Sequence, residues 1–76
     1  MTRTGFIESM GEMMELPKGA LQPYDVLAKY AQWDSLAIVG FIALADRHLG
    51  VAVDPGGVAK ANTVEDLLKL LGDKLK

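Results

Sequence analysis

Ser35 is the residue of this chain whose position best suits chemistry. It stands directly after Asp34, at the start of an apolar segment that is predicted to be helical. The first backbone N–H groups of a helix have no partner within it, and the helix dipole is positive there. A negative group on the Ser35 hydroxyl, such as a phosphodiester, would therefore be stabilised. The competing interpretation is structural, because Asp and Ser are also common N-cap residues.

A serine hydrolase is the catalytic alternative for Ser35, and the distance between Ser35 and the histidine that would act as its base excludes it. The only histidine, His48, is predicted to lie on the same helix, thirteen residues further along. At ~1.5 Å per residue, about 20 Å separates the two positions, whereas a nucleophile and its base must approach to roughly 3 Å. We therefore predict that the chain is not an enzyme and that His48 is exposed near the helix end, where positive charge is mildly favourable.

Composition excludes several further classes of site and partner. The chain has 76 residues, no cysteine and one histidine, which rules out disulfides, Cys-ligated zinc, thiol nucleophiles and multi-histidine metal sites. The formal net charge is −2 and there is no basic run, so we expect no nucleic-acid partner. The longest uncharged stretch, Ser35 to Ala45, is far below the ~20 residues of a membrane span. We predict one cytoplasmic, monomeric domain, residues 1–76, with no membrane partner and no bound metal.

Three segments have the three- and four-residue apolar spacing of helices, namely residues 4–15, 35–49 and 62–75. Pro17 ends the first and Gly50 ends the second. The second segment is apolar almost all round, which is typical of a helix that is buried or forms an interface. Because a small domain cannot easily bury a whole helix, we expect one face of this helix to contact a partner.

Two connections join these helices. Residues 17–34 form a long one, whose apolar side chains are expected to wrap the bundle and close one end of its core, with Asp25 capping a short turn. Residues 51–61 contain Asp54-Pro55, the pattern of a cap and a first helical residue, and predict a short, weak helix. The predicted fold is all-α, a small antiparallel four-helix bundle of three main helices and one short helix, with a long first loop.

Two motifs open the second and third predicted helices. Asp34-Ser35-Leu36 starts the second, and Thr63-Val64-x-Asp66-Leu67 starts the third, while Leu21 and Leu27 occupy the long connection. With these motifs, and over essentially its whole length, the chain resembles the acyl carrier proteins. In that family, leucines of the first loop plug the bundle in the way that Leu21 and Leu27 would here.

The resemblance implies a carrier and not a catalyst. Ser35, flanked by Asp34 and Leu36, would receive 4′-phosphopantetheine from coenzyme A in a step performed by a separate, magnesium-dependent phosphopantetheinyl transferase. The thiol of this arm would hold an acyl group as a thioester, which explains how a chain without cysteine serves thiol chemistry. Acyl-transfer, synthase or ligase enzymes would be the partners and the acyl chain the cargo, in fatty-acid, polyketide or related biosynthesis.

The second helix departs from this family in its charge. Carriers of bacterial fatty-acid synthesis usually have a strongly acidic second helix, but residues 35–49 contain a single acid, Asp46. We therefore expect weak electrostatic steering and docking through apolar contact and shape, except where residues 51–61 cover part of the face. A specialised stand-alone carrier is as well supported as one of housekeeping fatty-acid synthesis. The predicted docking face comprises Leu36, Val39, Gly40, Ala43, Leu44 and Arg47.

Two alternatives stay open. An aminoacyl or peptidyl carrier, including a D-alanyl carrier, is close to the first interpretation, although Trp33-Asp34 does not match the Gly-Gly-x-Ser pattern typical of peptidyl carriers. A helical protein-interaction module without a prosthetic group would use the exposed face of residues 35–49 alone. For a carrier, we also expect the small bundle to admit a long acyl chain between its helices, which would stabilise the loaded form.

Overall fold

The computed structural model describes residues 1–75, and within them it contains four α-helices and one 3₁₀ turn. The same residues form no β-strand, only an isolated antiparallel bridge between Val26 and Thr63. The predicted all-α class is confirmed at this level. The helices are α1 (Arg3–Met13), α2 (Ser35–Leu49), α3 (Pro55–Lys60) and α4 (Val64–Lys69), and the 3₁₀ turn spans Leu27–Lys29.

Each α-helix begins at a residue whose side-chain oxygen accepts a backbone N–H of the first turn. The predicted cap at Asp54 is confirmed, since its Oδ2 accepts a hydrogen bond from Gly57 N at 3.2 Å. At the start of α4, Thr63 and Asp66 each bind the other's backbone N–H and so form a capping box. These caps determine where the helices start. The capping residues are Thr2, Asp34, Asp54 and Thr63.

Helix α1 ends in a left-handed turn of the kind that glycine usually makes. Leu16 N donates to Gly11 O at 2.8 Å and Glu15 N donates to Glu12 O at 3.0 Å, which are the two bonds of a Schellman motif. Glu15 takes the left-handed position, with φ 58°. Helix α2 also ends at a left-handed residue, but there the residue is Gly50, with φ 66°. A side chain in this conformation costs roughly 1 kcal/mol.

We expect Glu15→Gly to stabilise the protein by about 0.5–1 kcal/mol, because it removes this strain at a modest cost in unfolded-state entropy. Glu12→Gly is the matched control: it makes the same chemical change inside α1, and we expect it to destabilise the protein by about 1 kcal/mol. Urea denaturation of both variants measures the two effects. A Glu15→Gly protein less stable than the parent would show that Glu15 carries no such strain.

One hydrophobic core joins the helices with the connection between α1 and α2. Phe41 of α2 and Phe6 of α1 are fully buried and meet edge to face, with their ring centroids 5.8 Å apart. Trp33 approaches Phe41 in a similar geometry at 6.5 Å. Leu21 and Leu27 of the connection are buried in the same core, whereas Tyr24 and Val26 are 76% and 49% exposed, so the apolar side chains of this segment pack against the core only in part.

The last helix is shorter than the sequence predicts. The apolar spacing predicts helix to residue 75, but α4 ends at Lys69. Beyond it the chain continues in tighter turns, with Leu71 N donating to Leu68 O at 3.1 Å, and Gly72 then turns left-handed with φ 64°. These turns still bury Leu71, so the core gains the same side chain without a longer helix.

Asp25 does not cap the turn that follows it, which corrects the sequence-based prediction. The 3₁₀ turn has no side-chain cap. Instead, the Asp25 carboxylate accepts hydrogen bonds from Gln22 N at 2.7 Å, Lys29 Nζ at 2.8 Å and Tyr30 Oη at 3.0 Å. Asp25 is only 5% exposed. It therefore holds the middle of the long connection together from a buried position.

The long connection is also hydrogen-bonded to the start of α4. Three backbone bonds join residues 23–27 to residues 62–65, beside the isolated bridge. Together with the buried leucines, they anchor this connection on a segment almost forty residues away. The bonds run from Leu27 N to Asn62 O (2.8 Å), from Val64 N to Asp25 O (3.1 Å) and from Glu65 N to Pro23 O (2.8 Å).

Candidate functional site

Ser35 is the first residue of α2, and it is exposed. The preceding residue, Asp34, is extended, with φ −125° and ψ −170°. Its Oδ1 accepts a hydrogen bond from Ala37 N at 3.0 Å, and its carbonyl accepts the first helical bond, from Ile38 N at 3.0 Å. Asp34 is therefore the N-cap, and the Ser35 hydroxyl is not needed for that role.

The surroundings of Ser35 favour a negative group on its oxygen. Helix α2 is fifteen residues long and has no acidic residue in its first turn. The N–H groups of Ser35 and Leu36 belong to that turn, where a helix has no internal acceptors and its dipole is positive. A phosphate attached here would gain from both effects, opposed by the single charge of the Asp34 cap.

A groove of about 270 Å³ adjoins Ser35, between the end of α1 and the start of α2. Both sequence neighbours of Ser35 contribute to its walls. The lining is mixed, with apolar side chains beside an amide and two carboxylates. The lining residues are Met13, Met14, Glu15, Gln32, Asp34, Leu36 and Ala37.

A larger cavity of about 480 Å³ lies elsewhere, between α1 and the first part of the long connection. All its lining residues fall between Thr4 and Pro23. Neither Ser35 nor any other residue of α2 lines it, so this cavity is not part of the candidate site.

The predicted docking face of α2 is exposed in part. Leu36 is 79% exposed and Val39 is 62% exposed, which are high values for large apolar side chains. Ala43 and Arg47 are exposed as well. Because these four residues follow one another at intervals of three and four, they lie along one side of the helix.

Two other residues predicted for this face are covered. Leu44 is 9% exposed and belongs to the hydrophobic core. Gly40 is half-buried, and a Cβ atom at this position would overlap the sulfur of Met13. Met13 of α1 therefore packs against Gly40, Leu44 faces the core, and the exposed face is limited to Leu36, Val39, Ala43 and Arg47.

His48 lies in the last turn of α2 and is exposed, as expected, at the opposite end of the helix from Ser35. Among residues 1–75, no three His, Asp or Glu side chains are grouped so that they could hold a metal ion. Within the same part of the chain, no helix is both long enough and apolar enough to cross a membrane.

Sequence reasoning missed the groove and the Asp25 cluster. The methionines near the end of α1 were a signal for adaptable packing, but no pattern in the sequence places Gln32 beside them. Gln22 precedes Asp25 by three residues, and Lys29 and Tyr30 follow it by four and five. The four-residue spacing of Asp25 and Lys29 was an available signal, although the backbone between them is not α-helical.

The comparisons with known proteins provide no information about the site. No family model matches this chain, and neither the curated proteins nor the solved structures contain a match to it. The case for a function therefore depends on the position of Ser35 and on the two sequence motifs.

Proposed function

We propose that this chain is an acyl carrier protein that bears 4′-phosphopantetheine on Ser35. The observation that best supports the proposal is the position of this hydroxyl, which is exposed at the first residue of α2 while Asp34 fills the capping role. The sequence motif around it, Asp34-Ser35-Leu36, carries the resemblance to the family. The second motif lies at the start of α4, where Thr63 and Asp66 form the capping box.

The residues around Ser35 fit the proposed group. A phosphodiester on Oγ would lie at the positive end of α2. The groove beside Ser35 leaves room for atoms that follow the phosphate. When bound, the group supplies a thiol on which acyl cargo is carried as a thioester.

Attachment requires Ser35 Oγ to act as a nucleophile toward coenzyme A. In the proposed step, Oγ bonds to the phosphorus that carries pantetheine, and the P–O bond to the nucleotide part breaks. The nucleotide leaves with that electron pair, and the hydroxyl proton passes to a base on the magnesium-dependent transferase. The only histidine of this chain, His48, lies at the far end of α2 and is not placed to be that base. The contribution of the chain is thus an accessible hydroxyl at a helix start.

The finer arrangement and the partners belong to the same proposal. We place the helices in an antiparallel bundle with residues 14–34 as the long first loop. The bundle has two short members, α3 and α4, with six residues each, in place of the single short helix that was predicted. Contacts of α2 with both α1 and α3 support a position of α2 between them. The exposed residues Leu36, Val39, Ala43 and Arg47 would dock the transferase and the acyl-transfer, synthase or ligase enzymes of a cytoplasmic pathway, with the carrier as a monomer.

Incubation with coenzyme A and a broad-specificity phosphopantetheinyl transferase tests the proposal. We expect the intact mass to rise by one phosphopantetheinyl group in the parent and to stay unchanged in Ser35→Ala. Ser9→Ala is the matched control, because Ser9 is the only other serine of the chain and lies within α1; this variant should be modified like the parent. Circular dichroism shows that each variant is folded. A parent that stays unmodified with several transferases would refute the proposal.

A second candidate function is a protein-interaction module without a prosthetic group. The exposure of Leu36 and Val39, at 79% and 62%, favours it, since such a pair of apolar side chains on one helix face suits a partner contact. The same incubation separates the two functions. A folded parent that no transferase modifies would leave the interaction module as the better account of α2.

A further inference from the structure

The groove between the end of α1 and the start of α2 has no part in the attachment step. We propose that Met13, Gln32 and Leu36 form a resting site for the phosphate-proximal part of the pantetheine arm, on the α1 side of Ser35. This inference rests on the proposed function of Ser35 and adds to it a binding site within the chain.

The position of the groove is the first argument. Asp34 and Leu36, the two neighbours of Ser35, both line it. Ser35 is not itself a lining residue, so a group tethered to it reaches the groove past one of these neighbours. Short tethers give effective concentrations of about millimolar, so contacts that are weak in free solution are sufficient to occupy such a site.

The chemistry of the lining is the second argument. Following the phosphate, the arm has a carbon with two methyl groups, then a hydroxyl and an amide. The groove offers matching groups, with the flexible thioether of Met13 beside the apolar Leu36. The side-chain amide of Gln32 can both donate to and accept from an amide of the arm. The carboxylate of Glu15, which also lines the groove, can accept from a hydroxyl or an N–H.

The extent of the groove limits what it holds. The groove is largely open to solvent, and its walls come only from residues 13–15 and 32–37. It therefore offers contacts to the part of the arm nearest the phosphate. Val39, Ala43 and Arg47 do not line it and stay free on the exposed face of α2.

Gly40 makes the wall of this groove adjustable. Because a Cβ at Gly40 would overlap the Met13 sulfur, the bare backbone there is what allows Met13 to lie against α2. Gly40→Ala forces the Met13 side chain to shift without altering any residue that lines the groove. This substitution therefore perturbs the proposed site indirectly.

The four methionines of the chain provide the test. The protein is labelled with ¹³C at the methionine methyl groups, and its spectra are compared before and after modification by the transferase with unlabelled coenzyme A. We expect the Met13 methyl signal to shift and to show isotope-filtered NOEs to the methyl protons of the arm. Met10, which is fully buried, and Met1, at the start of the chain, serve as internal controls without such NOEs.

The outcomes separate this inference from the proposed function. A mass increase on Ser35 without NOEs to Met13 overturns the resting site and leaves the carrier function in place. An unchanged mass overturns both. In folded Gly40→Ala we expect weaker NOEs to Met13, whereas Ala59→Ser, at an exposed position of α3 away from the groove, should match the parent. Unchanged NOEs in Gly40→Ala would contradict the part assigned to Met13.

Discussion

Phe41→Ala is expected to destabilise the protein by about 3–5 kcal/mol, since it leaves a cavity in the centre of the core. Phe41 is fully buried and makes the edge contacts with Phe6 and Trp33. At the usual 0.05–0.15 kcal/mol per residue, a chain of 76 residues has a total unfolding free energy of about 4–11 kcal/mol. The substitution therefore removes a large part of the total. Because Trp33 stands two residues before Ser35, its loosening would also affect the start of α2.

Urea denaturation followed by circular dichroism measures this effect. Phe41→Leu retains most of the apolar volume, and we expect it to cost less than half as much as the alanine variant. Val39→Ala is the control on the same helix, and because Val39 is 62% exposed, its cost should be within about 0.5 kcal/mol. Equal costs for Phe41→Ala and Val39→Ala would contradict the core described above.

Asp25→Asn is expected to lower the free energy of unfolding at neutral pH by about 1–3 kcal/mol, since three hydrogen-bond donors lose the charged acceptor that the buried carboxylate provides. The hydrogen bond from Lys29 is the largest influence that lowers the pKa of Asp25; burial acts in the opposite direction, and bonds from Gln22 N and Tyr30 Oη lower the pKa further. Asp46→Asn is the matched control, because Asp46 is exposed on α2, and it should change stability little.

The lowered pKa of Asp25 also predicts a pH dependence. Aspartate in an unfolded chain has a pKa of about 4, so between this value and the lower folded-state pKa the unfolded state binds more protons. The stability from Asp25 is complete above about pH 4 and is lost as the pH falls through the folded-state pKa. We therefore expect Asp25→Asn to lose less stability than the parent on acidification.

Denaturation curves at a series of pH values between about 6 and 2 test this dependence. Some acid sensitivity should persist in Asp25→Asn, because hydrogen bonds from Asn62 N and Thr63 N lower the pKa of Asp66 as well. Asp46→Asn should follow the parent. If the parent and Asp25→Asn lost stability in parallel below pH 4, the folded-state role assigned to Asp25 would be wrong.

The bounds of a helix could be predicted from sequence where both of its ends have a capping residue. Residues 35–49 were predicted with the bounds that α2 has, since Asp34 caps the start and Gly50 turns left-handed at the end. Helix α4 was overestimated because leucines spaced by three and four residues suit an α-helix and the tighter turns after Lys69 equally well. Only the hydrogen bonds of the last turns distinguish the two.

The candidate site was predictable at Ser35 and Asp34 but not in its surroundings. A helix that is apolar nearly all round has two candidate buried sides, and sequence alone does not say which one faces the core. The reasons are tertiary: Met13 of α1 packs against Gly40, and Leu44 is buried in the hydrophobic core. The groove is likewise formed by segments distant along the chain, so no local spacing indicated it.

The bonds between residues 23–27 and residues 62–65 determine how this small protein can come apart. They connect a segment before α2 to one after α3. Helices α2 and α3 therefore lie within a stretch of chain whose two ends are hydrogen-bonded to each other. Neither half of the chain has this closure by itself, nor a core of its own. The domain should accordingly behave as a single cooperative unit without an autonomous subdomain, despite the brevity of its last two helices.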